Sequence, residues 1–115
     1  MTYVDGFVAA VPTANREAYI AHARDAVPMF RRYGALSVME TWGTDIPDGQ
    51  VTSFPMAVKL EPGETVVFSW VTWPDKPTRD AAWEAIRNDP AMQSAEMPFD
   101  GKRMIYGGFE MVVEA

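Results

Sequence analysis

"TVVFSWVTW", residues 65–73, is apolar on both of its alternating sets: Val66, Phe68 and Trp70 fall on one side, Val67 and Val71 on the other. Side chains of an extended strand alternate between the two faces of a sheet, so this segment has no face to give to water. It predicts an inner strand covered on both sides. "YVDGFVAAV" at 3–11 has the same character, with Tyr3, Phe7, Ala9 and Val11 on one set and Val4, Val8 and Ala10 on the other, and Pro12 ends it.

Outward from these two strands the elements alternate. A helix is expected from Thr13 or Asn15, either a plausible cap, with Tyr19, Ala23, Ala26, Phe30 and Tyr33 on its buried stripe. Pro28 should kink or restart it, and Gly34 ends it. "ALSVMETWGTDI" (35–46) reads as a second strand, "PDG" (47–49) as a turn, and "FPMAVKLEPGE" (54–64) as a ragged edge strand ending in a Pro-Gly turn. "PDKPTRDAAWEAIRNDP" (74–90) predicts a helix capped by Asp75, with Pro77 in its first turn and Pro90 beyond its end. A short helical segment is expected around Ala91 to Ala95. "RMIYGGFEMVVE" (103–114) reads as the fourth strand, with Gly107 and Gly108 permitting a bulge or a close approach to the backbone.

The order βαββαβ with right-handed crossovers gives an α+β fold of ferredoxin-like type: one antiparallel sheet with both helices on one face, and residues 1–115 forming a single domain. The other face is left bare. Its apolar side chains exceed what a monomer normally exposes, and a second copy packed sheet to sheet is the simplest cover, making a homodimer.

Composition narrows the functional classes. Among 115 residues, 16 acidic side chains against 10 basic ones leave a net charge of −6, which disfavours nucleic acid and anionic membranes as partners. No apolar run approaches the ~20 residues of a spanning helix. The N-terminus lacks a basic leader region and carries Asp5 inside its apolar stretch, so no signal peptide is read and a cytoplasmic location is expected. Cys is absent and His22 is the single histidine, which excludes thiol chemistry and a multi-histidine metal site; no metal or cofactor is expected.

Candidate site residues follow from polar groups in apolar settings. Asp5 interrupts a buried strand, where a carboxylate must find donors or gain a proton; it either serves as an acid/base or, in an Asp5-Gly6 bulge, caps backbone amides or pairs with Arg103 or Lys102 across the sheet. His22 lies about 60° from Tyr19 on the helical wheel, at the edge of the buried stripe, and suits either a pocket or a boundary. Glu40 beside Trp42 could share chemistry with Asp5 or form an edge ion pair. Trp70, Trp73, Trp83, Tyr106 and Phe109 could line an apolar cavity between sheet and helices or simply be core. "FDGKR" sets Lys102 and Arg103 at the mouth of the fourth strand, where they could hold an anion.

"YVDGFVAAVP", "ETWGTDIPDGQVTSF", "VVFSWVTWP" and above all "MPFDGKRMIYGGFE" resemble the YbaA-like proteins, a bacterial family of unknown function. The resemblance spans essentially the whole chain. It implies the dimeric α/β-barrel fold, shared with small oxygenases and muconolactone-isomerase-like proteins, and no established activity. Members often carry Cys at the position of Thr41, so a thiol role is closed to this chain.

By that analogy the chain would bind a small apolar or aromatic molecule and, if it is an enzyme, would oxygenate or isomerise it without a cofactor. Asp5 or His22 would act as base, Arg103 would stabilise an oxyanion, and Glu40, Trp42, Trp70, Tyr106 and Phe109 would hold the ligand. A haem could be ligated only by His22. The alternative is a non-catalytic dimeric interaction module whose apolar faces are all consumed by core and interface.

Overall fold

The structure, a computed structural model, describes residues 2–93 and 96–115. Strands β1 (Tyr3–Pro12), β2 (Ser37–Glu40), β3 (Glu64–Trp73) and β4 (Ile105–Glu110) form one sheet in the order β2-β3-β1-β4. Every neighbouring pair is antiparallel. Helices α1 (Arg16–Arg32) and α3 (Lys76–Arg87) cover one face, which is the ferredoxin-like α+β arrangement. None of the helices among the described residues is long and apolar enough to cross a membrane.

The register of β1 on β3 explains the two-sided apolarity. Phe7 faces Ser69 and Ala9 faces Val67, so the odd-numbered residues of both strands share the helix side. There Ala9, Val11 and Val67 pack with Tyr19 of α1, while Val71 and Trp73 pack with Ala82 of α3. Val8, Ala10 and Val66 point the other way, yet they too are buried, under Val58 and Leu60.

That cover comes from a segment read differently in the sequence. Instead of a ragged edge strand, Phe54–Ala57 makes one helical turn, α2, because Ser53 Oγ accepts from the Met56 amide at 3.1 Å and Pro55 fits the first turn. Lys59 then takes a left-handed φ of 51°, which swings Val58 onto the sheet. The Pro-Gly turn is present: Glu64 N donates to Glu61 O at 3.1 Å, and Gly63 has φ 81°.

Other boundaries moved for local reasons. α1 runs unbroken past Pro28, whose ring lies on the exposed side. Asn15 precedes α1 without capping it; its Nδ2 donates instead to Pro98 O at 3.0 Å. Asp75 does cap α3, accepting from the Thr78 amide at 2.8 Å. β2 ends early, although Thr41 N to Phe68 O (3.1 Å) and Gly43 N to Val66 O (2.9 Å) carry its pairing on irregularly. α4 spans Pro90–Gln93, and residues 94 and 95 of the expected helical segment lie outside the described residues. Gly101–Arg103 forms a 3-10 turn that delays β4.

The face opposite the helices stays partly open, with Met39, Phe68, Ile105 and Phe109 exposed beside half-buried Trp70. Gly6 of β1 pairs directly with Gly107 of β4, and a Cβ on either would lie 3.7 Å from the Phe109 ring. Phe109 thus lies against the surface those two glycines leave bare.

Candidate functional site

Asp5 is 3% exposed and is the hub of a buried polar cluster on the helix side. Its Oδ2 accepts from Trp73 Nε1 at 2.9 Å and Trp83 Nε1 at 2.7 Å, and its Oδ1 from Arg79 Nη2 at 2.7 Å. Arg79 Nε bridges both oxygens at 3.1 Å. The Tyr3 ring lies 5.2 Å from the guanidinium carbon, and the bonds to Asp5 hold the Arg79 pKa above its ordinary value against the effect of burial. The partner of Asp5 is therefore Arg79, not Arg103 or Lys102. A signal was present: Arg79 and Trp83 stand four apart on α3 and so share one face.

Gly108 makes that cluster possible. It faces the helix side beside Asp5, and a Cβ there would meet Arg79 Nη2 at 2.6 Å and Tyr3 Cε2 at 2.7 Å. The adjacent glycines of β4 thus serve opposite faces. Gly108→Ala is expected to cost about 1–3 kcal/mol, as overpacking does, because the fixed guanidinium must move. Gly107→Ala meets only the Phe109 ring at 3.7 Å, so its urea midpoint should lie well above that of Gly108→Ala.

A second cluster borders a groove between α1 and the β2 edge. Tyr19 O–H donates to Glu40 Oε2, and the Tyr19 ring is wedged against Trp42 and Phe99, with centroids 6.0 and 6.1 Å away. Burial pushes the Glu40 carboxyl above its ordinary range, and hydrogen bonds from Tyr19 and Ser69 together with the charge of His22 offset only part of this. Burial and the adjacent Glu40 likewise raise the Tyr19 phenol. The groove encloses about 450 Å³, with Ile20, Ala23, Val27 and Val38 as its apolar wall and Arg16, Arg24, Glu40 and Trp42 as its polar and aromatic rim.

Because folded Glu40 holds its proton more tightly than the unfolded chain does, the stability it lends is complete below 4.5 and is lost as pH rises through the raised value. Glu40→Gln should therefore melt at a higher temperature than the parent at pH 8, and the gap should close at pH 4. Paired thermal melts at the two pH values measure this.

The structure divides the remaining sequence-read residues among separate places. Arg103 binds Glu64 through Nη2 at 2.7 Å and Asp100 through Nε at 3.1 Å, and its Nη1 donates to Lys59 O at 3.0 Å. Its bonds to Glu64 hold that carboxyl below the ordinary range. His22 is half-buried on α1 beside the groove residue Ala23 but does not line the groove. Trp70 and Phe109 lie on the open face, whereas Trp73 and Trp83 surround Asp5, so strand parity splits the aromatic cavity read from the sequence. Tyr106 is on the helix side but beyond the helices, stacked on Phe7 at 6.5 Å and 73% exposed. Glu40 and Trp42 share the groove; Asp5 and Arg103 do not line it. Tyr19, Arg16 and Arg24 belong to that groove and were not singled out, since Tyr19 reads as core and the arginines as solvated surface. Among the described residues no group of three or more His, Asp or Glu side chains is placed to hold a metal ion.

Comparison with known proteins agrees with this architecture. A dimeric ferredoxin-like protein from an uncultured marine organism superposes with a TM-score of 0.63 over 99% of this chain and 98% of its own, at 9% identity, which speaks to fold alone. The uncharacterized protein YbaA of Escherichia coli strain K12 is 53% identical over 116 residues, covering 99% of each chain, and the Shigella flexneri protein of that name matches equally. The profile of the family described as "Protein of unknown function (DUF1428)" matches residues 2–101. By family match and full-length identity together, the chain belongs to the DUF1428 family.

Proposed function

We propose that the protein is a homodimer through its open sheet faces, and that each subunit binds a small apolar or aromatic molecule in the groove between α1 and β2. The observation that carries the ligand reading is Glu40: a carboxyl raised by burial, held by the Tyr19 phenol, on the rim of an apolar groove of about 450 Å³. A volume of that size suits a bound small molecule. A carboxyl shifted toward neutrality exchanges a proton readily. Removing a proton from one carbon of the ligand and returning it to another is an isomerisation, which needs no cofactor.

The role of base passes from Asp5 to Glu40 in this reading. Both Asp5 oxygens are already bonded to Arg79 and the two indoles, so Asp5 has a structural task. The dimer reading rests on the exposed Met39, Phe68, Ile105 and Phe109, and the marine structural relative is described as dimeric.

Native mass spectrometry of freshly purified protein, followed by denaturing analysis of the same sample, tests both parts. The expected result is a dimer carrying extra mass that leaves on denaturation and is missing from Ala23→Trp, in which the groove is filled. A clean dimer would favour the non-catalytic interaction module. A monomer would overturn the sheet-to-sheet pairing.

A further inference from the structure

The charge at the groove runs against the charge of the chain. The protein has a net charge of −6, yet α1 places Arg16 and Arg24 on the same groove. Their spacing of eight residues sets them about 80° apart round the helix, with Ile20 and Val27 in the arc between them. Arg16 lies over the Trp42 ring at 5.6 Å and, among the described residues, reaches a carboxylate only in its neighbour Glu17, at 3.5 Å across exposed surface. Such a contact is worth little. Arg24 makes no ion pair with any described residue.

The other arginines of the cluster and turn regions contrast with this pair. Arg79 is committed to Asp5 and Asp80, and Arg103 to Glu64 and Asp100. The two groove arginines therefore retain donors for a ligand, above an apolar wall that offers none.

We propose that the groove takes an amphiphilic small anion, an aromatic or aliphatic body bearing a carboxylate, with the body against Ile20, Ala23 and Val27 and the carboxylate between Arg16 and Arg24. This rests on the reading of the groove as the ligand site. Guanidinium groups bind carboxylates through paired N–H donors, and that geometry gives them selectivity over neutral analogues. Glu40 is occupied by the Tyr19 phenol, which donates to its Oε2.

Isothermal titration of the intact protein with 1-naphthoate and with 1-naphthalenemethanol, at pH 7 and low salt, tests the proposal. The expected result is naphthoate binding about tenfold or more tighter than the alcohol. The double variant Arg16→Gln/Arg24→Gln should abolish that preference while circular dichroism stays unchanged, and Ala23→Trp should abolish binding of both probes. Equal affinity for the two probes, or a preference that survives in the double variant, would overturn the anionic class and leave the groove standing. If neither probe binds, the groove reading falls with it.

Discussion

Asp5→Ala is expected to lower the unfolding free energy by about 3–5 kcal/mol, the loss that follows when one partner of a buried ion pair is removed. The damage is not one lost contact. The Arg79 guanidinium, on a side chain 22% exposed, would keep its charge without its carboxylate, and the indole N–H groups of Trp73 and Trp83 would lose their acceptor. Small domains have only about 5–15 kcal/mol in total, so the variant should sit near the edge of folding. Urea denaturation of parent and variant measures the difference. The compensated pair Asp5→Leu/Arg79→Met should recover most of it, because apolar groups of similar volume leave no stranded charge. A loss below about 1 kcal/mol would show that water reaches the cluster and replaces the carboxylate.

If the subunits pair through their open sheet faces as proposed, Phe68→Arg should separate them. Phe68 is 42% exposed on the open face and packs edge-on against Phe54 at 5.9 Å and at a tilt against Trp70 at 5.4 Å. In the free subunit an arginine there can extend into water, so the fold should persist. At a sheet-to-sheet interface the same charge would be buried without a partner, and the dimer dissociation constant should rise roughly thirtyfold or more, as for loss of an aromatic hot spot. Sedimentation velocity at several concentrations reads this directly, with circular dichroism as the control. A variant that remains dimeric over the parent's concentration range would place the contact on another surface.

The architecture was legible because β1 and β3 carry apolar residues on both of their alternating sets, and that pattern has few solutions in a chain of alternating elements. Capping chemistry likewise announced α3 through Asp75 and Pro77. The segment 54–60 was misread because Val58 and Leu60 alternate as strand residues do, while the deciding feature was the Ser53 cap with Pro55 behind it. Asp5 stood out as a carboxylate among apolar neighbours, but its partner lay in a helix far along the chain. The groove was the least visible feature. Glu40 gains its character from Tyr19, which any helical wheel assigns to the core, and the arginines that flank it look like ordinary solvated surface until the helix is docked on the sheet.

The cluster around Asp5 also bears on how the chain folds. Its partners lie 68, 74 and 78 residues downstream, so no local segment can satisfy it. Loop closure of that length must precede the reward, which places the cluster late on the folding route. Interactions absent from the transition state act on the rate of escape from the native basin rather than on the rate of reaching it. Asp5 and Arg79 together form a latch of this kind, and a folded subunit should owe much of its lifetime to it.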